Sequence, residues 1–186
     1  VPGLARRLAA ALPSYARIAW WGLVSPRTER EPLVVHQGVV RGPEGVLLVV
    51  RSELRGWELP GGAALPGETG SAAVAREVRE ETGIGIAVED LAARYARTGF
   101  RPHTAMVYRC RATGGAPRPS AETPRVRWFA AGALPSTLFP WYRGPISDAF
   151  AGGGATVERA EHQGVRAILA GVAIDLRMRI TDDAAG

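Results

Sequence analysis

The chain has 186 residues, 46% of them hydrophobic and 22% charged, with a formal net charge of +5; this is the composition of a soluble globular protein, long enough for one domain with a real core plus appendages. Its single cysteine, Cys110, excludes an internal disulfide framework and a multi-cysteine zinc site, and no apolar run approaches the roughly 18 residues of a transmembrane helix. All 23 basic residues are arginines; they are scattered without a run, which reads as compositional bias and not as a nucleic-acid-binding face, though a mildly basic surface still favours phosphate-bearing anions.

In chain order, residues 1–32 read as an N-terminal helical extension. Leu4, Leu8 and Leu12 share helical spacing, Pro13 interrupts, and Ser14 suits the cap of a second short helix carrying Tyr15, Ile18, Trp20, Trp21 and Leu23. Such a basic, aromatic segment is expected to pack on the domain or on a second subunit, with membrane-surface contact as the less favoured alternative. Pro26 and Pro32 bracket a polar linker. Leu33–Val40 and Val46–Val50 are expected strands joined by the turn Gly42-Pro43-Glu44-Gly45, the second buried on both faces. Trp57-Glu58-Leu59 is a short strand. Thr69 should cap a helix running to about Thr82, which Gly83 closes in the left-handed conformation, with Val74, Ala75, Val78 and Thr82 as its packing face.

Further strands are expected at Ile84–Val88, Leu91–Thr98, Thr104–Arg111 and Val126–Ala130, with a loop at 114–124 and a closing helix at about Pro145–Ala151. Cys110 falls in an apolar alternation and is expected to be a small buried hydrophobe. Gly152-Gly153-Gly154 reads as a linker to a C-terminal extension, 155–186, which packs on the domain or forms a dimer. There Val165, Ile168, Leu169 and Val172 suit a helix, while Val172, Ile174, Leu176, Met178 and Ile180 alternate as in a strand. The elements sum to an α+β domain, residues 33–151, with a central sheet between helices.

One cluster breaks local rules. Glu77, Glu80 and Glu81 fall at i, i+3 and i+4, so a helix projects their carboxylates within an arc of about 100°, in last turns where the helix dipole disfavours anions. Such violations mark sites, and convergent carboxylates suit a hard divalent cation such as Mg²⁺ or Mn²⁺. Arg76 is placed to pair with Glu80, and with Glu68 so as to brace the preceding loop; Glu68 is then structural. Gly62 lets the backbone pass close enough for its carbonyl to join the ligand set. A bare string of this kind also suits an ordinary salt-bridged, solvated face.

The spacing is more particular than that. Gly62, five residues, Glu68, seven residues, then Arg76-Glu77-Val78-Arg79-Glu80-Glu81-Thr82-Gly83-Ile84 resembles the motif of the Nudix hydrolase family at every fixed position. The lead-in Trp57-Glu58-Leu59-Pro60-Gly61-Gly62 and the downstream Val126-Arg127-Trp128-Phe129 and Leu134-Pro135 are similar too. The resemblance spans roughly residues 33–150. It implies an α/β/α sandwich around a mixed sheet and hydrolysis of a nucleoside diphosphate linked to another group, using Mg²⁺ or Mn²⁺. By the resemblance Glu80 and Glu81 are metal ligands, Glu77 is a third ligand or the base, and Arg76 orients the glutamates. Glu122 falls where some members place a further glutamate, as ligand or general base.

Substrate identity is not legible at this level. Pro102 lies further past the motif than the proline typical of ADP-ribose hydrolases, and the tyrosine of dinucleoside polyphosphate hydrolases is missing. Candidate contacts to base, sugar or phosphate are Arg51, Arg101, His103, Phe139, Trp141 and Tyr142. No partner is apparent for His36 or His162. The expectation is a cytoplasmic enzyme with a nucleotide-type substrate, without specific nucleic-acid binding, and with a homodimer left open. The alternative is a non-catalytic nucleotide sensor or scaffold, against which the retention of all four glutamates argues.

Overall fold

The computed structural model describes residues 12–20, 33–152 and 154–181. Leu4, Leu8, Trp21, Leu23 and the stretch between Pro26 and Pro32 lie outside them, as does Gly153 in the expected linker. The hairpin forms as the turn chemistry predicts: β1 (Val34–Gly42) returns as β2 (Gly45–Val50), with Gly42 opposite Gly45. β3 (Trp57–Glu58) and β7 (Arg125–Phe129) pair with β2, and β4 (Gly61–Gly62) pairs with β1. β6 (His103–Gly114) runs parallel to β1 and antiparallel to β5 (Gly85–Gly99). With β8 (Val157–Gln163) beside β5, the path β3-β2-β1-β6-β5-β8 is therefore a mixed sheet.

Adjacent residues of one strand serve opposite layers, as a period of two requires. Val40, Leu47 and Cys110 face α1 (Gly70–Thr82) through Val74 and Val78. Val39, Leu48 and Val50 face the other layer, built from α2 (Arg143–Phe150) through Ile146 and Ala149, and from Met178 of the tail. This is an α/β/α sandwich, and β2 is buried on both faces as expected. Cys110 is fully buried, which pushes its thiol up to about 12.

Two expectations need correction, and in the tail one of two open alternatives forms. The helix α1 turns Ala73, not Ala75, into the core with Val74, Val78 and Thr82. The strands expected at 84–88 and 91–98 are one, β5, in which register shifts between Val88 and Asp90 and between Leu91 and Ala93 absorb the exposed Glu89-Asp90 pair. In the tail, the alternation from Val172 to Ile180 does not make a strand. Residues 165–181 form helix α3 (Val165–Thr181), which buries Gly171, Asp175 and Met178 at helical spacing. Before it, the polar segment Val157–Gln163 forms β8, pairing parallel with β5 from Ala93↔Val157 to Gly99↔Gln163.

Candidate active site

The motif helix is positioned by its caps. The Thr69 side chain accepts from the Ala72 amide, and Gly83, at φ 75°, donates its N–H to Arg79 O. From within it, Arg76 grips Glu68 of the preceding loop with two parallel hydrogen bonds of 3.0 Å, from Nε to Oε1 and Nη2 to Oε2, and reaches Ala63 O at 3.2 Å. Glu68 also accepts from Leu65 N at 2.9 Å. The expected brace between loop and helix is thus present, and the Arg76 hydrogen bonds hold the Glu68 carboxyl below its usual range.

Arg76 also donates from Nη1 to Glu77 Oε1 at 2.8 Å and Glu80 Oε2 at 3.3 Å, so one guanidinium nitrogen joins two of the three clustered carboxylates. Their surroundings differ. Glu80 is 61% exposed, Glu77 19% and Glu81 5%. The shared arc therefore does not give the three glutamates one solvated face. Glu81 points inward because β4 offers only Gly61 and Gly62 beside it: its Oε2 accepts from Gly61 N at 2.9 Å. Glu77 lies so close to Gly62 that a Cβ there would stand 2.5 Å from the carboxylate carbon.

Burial pushes Glu81 up to about 7, against the opposing pull of the Arg51 charge. Arg51, at the end of β2, is the other organising cation. Its Nη2 donates to Glu81 Oε1 at 2.5 Å and to Gly61 O at 2.7 Å, its Nη1 to Glu122 Oε1 at 3.0 Å, and its Nε stands 2.8 Å from Glu58 Oε1. Burial disfavours the cation, but Glu58 and Glu81 outweigh it and the Arg51 pKa is raised. Glu58 is itself pushed up by burial, opposed by Arg51, and accepts from Tyr142 Oη at 3.2 Å.

Glu122, expected near the motif from its position in the chain, is brought there by Arg51. Its backbone is fixed as well: Ser52 N donates to Glu122 O at 2.9 Å, and the buried Thr123 hydroxyl donates to Glu81 O at 2.6 Å. Sequence reasoning missed the site roles of Glu58 and Thr123. The first stood in the quoted lead-in, and for the second no local signal exists.

The remaining candidates divide. The charge of Arg101, which adopts φ 52°, acts on Glu58. Around His103, Nδ1 lies 2.7 Å from Arg101 O and Nε2 lies 3.4 Å from Arg97 Nη1, with burial lowering its pKa. Trp141, partly buried, stacks on Phe139 with centroids 4.7 Å apart and meets α3 at Gly171. His36 and His162 do have partners: Tyr108 Oη at 3.3 Å and Thr98 Oγ1 at 3.2 Å.

The donors available to a cation are hard oxygens: the carboxylates of Glu77, Glu80 and Glu81 and the carbonyl of Gly62. Among the described residues no three acidic, imidazole or thiol side chains stand in a ready coordination arrangement; arginine holds the glutamates instead.

Residues 33–150 match the NUDIX domain. A MutT-like protein of Streptomyces ambofaciens is 39% identical over 135 residues, covering 72% of this chain and 86% of the relative. A Bacillus subtilis (strain 168) protein provisionally named 8-oxo-dGTP diphosphatase is 32% identical over 110 residues, covering 59% and 74%. Among solved structures, a NUDIX hydrolase from Nitrosomonas europaea superposes with a TM-score of 0.64 at 23% identity, covering 72% of this chain and 81% of its own, and so shares the fold. With the motif helix, the glycine strand beside it and the sandwich all in place, the chain belongs to the Nudix hydrolase family, among its MutT-like members.

Proposed function

We propose that this chain hydrolyses the pyrophosphate bond of a nucleoside diphosphate linked to a further group, with Mg²⁺ or Mn²⁺ held by Glu77, Glu80, Glu81 and the Gly62 carbonyl. The observation that carries this reading is the placement of Glu77 and Glu81 against a strand, Gly61–Gly62, that has no side chains to keep them apart from its backbone. The donor set fits a hard cation, and the mutual repulsion of these carboxylates is relieved by one. When bound, such an ion polarises a phosphoryl oxygen and acidifies water.

The chain's own residues do the rest. Arg76 and Arg51 orient the glutamates from opposite sides. Glu122, 69% exposed and tethered by Arg51, accepts the proton of the attacking water, while Glu77 remains the other base candidate. Water adds to phosphorus, the P–O–P bridge breaks, and a nucleoside monophosphate and the phosphorylated remainder leave. The name of the Bacillus subtilis relative favours a nucleoside triphosphate over ADP-ribose or a nucleotide sugar. Arg51 pairs with Glu58, Tyr142 donates to it and the charge of Arg101 acts on it, so this side of the site is where substrate contacts are sought.

A screen for nucleoside monophosphate formation with Mg²⁺ or Mn²⁺ over nucleoside triphosphates, ADP-ribose, nucleotide sugars and dinucleoside polyphosphates tests the reading. Turnover of at least one class, abolished by chelator, is expected. Failure of all classes with both metals sinks it.

A further inference from the structure

Asp175 sits in the apolar stripe of α3 with no exposure at all. A carboxylate is tolerated there only if it is paired and hydrogen-bonded, and its partners come from three parts of the chain. Arg179, one turn on, donates from Nε at 2.7 Å; the Arg55 backbone amide donates at 2.6 Å; and the hydroxyl of Tyr15, in the N-terminal helix over residues 12–20, donates to Oδ2. The same groups hold the loop between β2 and β3 at neighbouring points. Arg179 Nη2 donates to Glu53 O at 3.1 Å, and Arg17 pairs with the Glu53 carboxylate at 2.9 Å.

The other end of that loop is the candidate active site. Arg51 opens it, bound to Glu58, Glu81 and Glu122, and Ser52 N holds the Glu122 carbonyl. Leu54 packs on the core and Gly56 lies under the Phe139 ring, so the loop has anchors of its own. What Asp175 adds is the register of the backbone from Ser52 to Arg55.

We propose that Asp175 is a positioning residue: it clamps residues 52–55 between the two terminal helices and thereby holds Arg51, Glu81 and Glu122 in their mutual arrangement. Two segments outside the span that matches the family then govern the geometry of its site. The inference rests on the assignment of the glutamates made above.

The test compares the full chain, Asp175→Asn, Tyr15→Phe and, as a control on the sheet edge, Glu158→Gln, whose carboxylate is 64% exposed beside Arg94. Steady-state kinetics use the substrate the screen identifies, and hydrogen exchange follows peptides over 51–58 and 118–124. For Asp175→Asn, kcat is expected to fall roughly 10-fold, as for groups that orient active-site ligands, with KM within about two-fold and faster exchange in both peptides. Tyr15→Phe should move the same way by less, and Glu158→Gln not at all. Faster exchange at 51–58 with kcat unchanged overturns the proposal, as does unchanged exchange in both variants. Should Asp175→Asn fail to fold, Tyr15→Phe decides alone. A wild type without turnover sinks the hydrolase reading instead, and exchange at 118–124 then judges the clamp: unchanged, it is overturned.

Discussion

Arg51 Nη2 stands 2.5 Å from Glu81 Oε1, so a residue outside the motif decides where the motif's most buried carboxylate points. Arg51→Met should leave Glu81 and Glu58 as uncompensated buried acids. Breaking a buried pair costs about 3–5 kcal/mol; because Arg51 keeps solvent contact, we expect about 2–3 kcal/mol, read from urea unfolding, and a loss in kcat of about 100-fold. Arg51→Lys supplies charge without the fork and should recover stability more than activity. Unaltered kcat in Arg51→Met would remove Arg51 from the site.

Gly61 and Gly62 should respond differently to the same added methyl. At Gly62 a Cβ meets the end of the Glu77 side chain, which can swing away; Gly62→Ala should melt within a few degrees of wild type yet lose about 10- to 100-fold in kcat. At Gly61, where φ is 148°, a Cβ falls 2.1 Å from the His36 carbonyl oxygen. Backbone must move there, so Gly61→Ala should lose at least about 1–3 kcal/mol of stability. Equal melting temperatures for the two variants would contradict this account.

The contrast also shows what could be read from residues in order and what could not. The caps at Thr69 and Gly83, the hairpin at Pro43-Glu44 and the Arg76–Glu68 brace are local, set by residues at most a few turns apart. The burial of Glu81 depends on the absence of side chains on β4, twenty residues earlier. The link between Arg51 and Glu122 spans 71 residues and appears only once β7 has brought its preceding loop back to β2. β8 was illegible because an edge strand with polar faces lacks hydrophobic alternation. Asp175 broke the helical stripe of α3, and its partners, Tyr15 and Arg55, are remote in sequence.

Metal should bind and stabilise the folded chain. Glu80 is exposed and, among the described residues, held by Arg76 alone, so Glu80→Gln should change the melting temperature little without metal. With Mn²⁺ at 100 times its Kd the wild type should gain about 2.7 kcal/mol, and Glu80→Gln should gain much less at the same concentration. Calorimetric scans with and without Mn²⁺ check both halves; an equal gain in the two proteins would take Glu80 out of the ligand set.

Away from the site, Asp148 gives a pH signature of the α2–sheet contact. It accepts from Tyr95 Oη at 2.5 Å and from Arg159 at 2.7 and 3.1 Å, and the Arg159 hydrogen bonds, foremost, hold its carboxyl below the usual range. A depressed folded pKa contributes stability that is fully present above the unfolded value of about 3.9 and is lost as pH falls through the folded one. Asp148→Asn should therefore be less stable than wild type at neutral pH, by about 1–2 kcal/mol for charge-assisted hydrogen bonds. That difference should hold down to about pH 4 and shrink below it as the wild-type carboxyl takes up its proton. Urea unfolding of both proteins from pH 7 to pH 3 measures it. A gap that stays constant to pH 3 would mean that the charge on Asp148 contributes nothing and that only its shape matters.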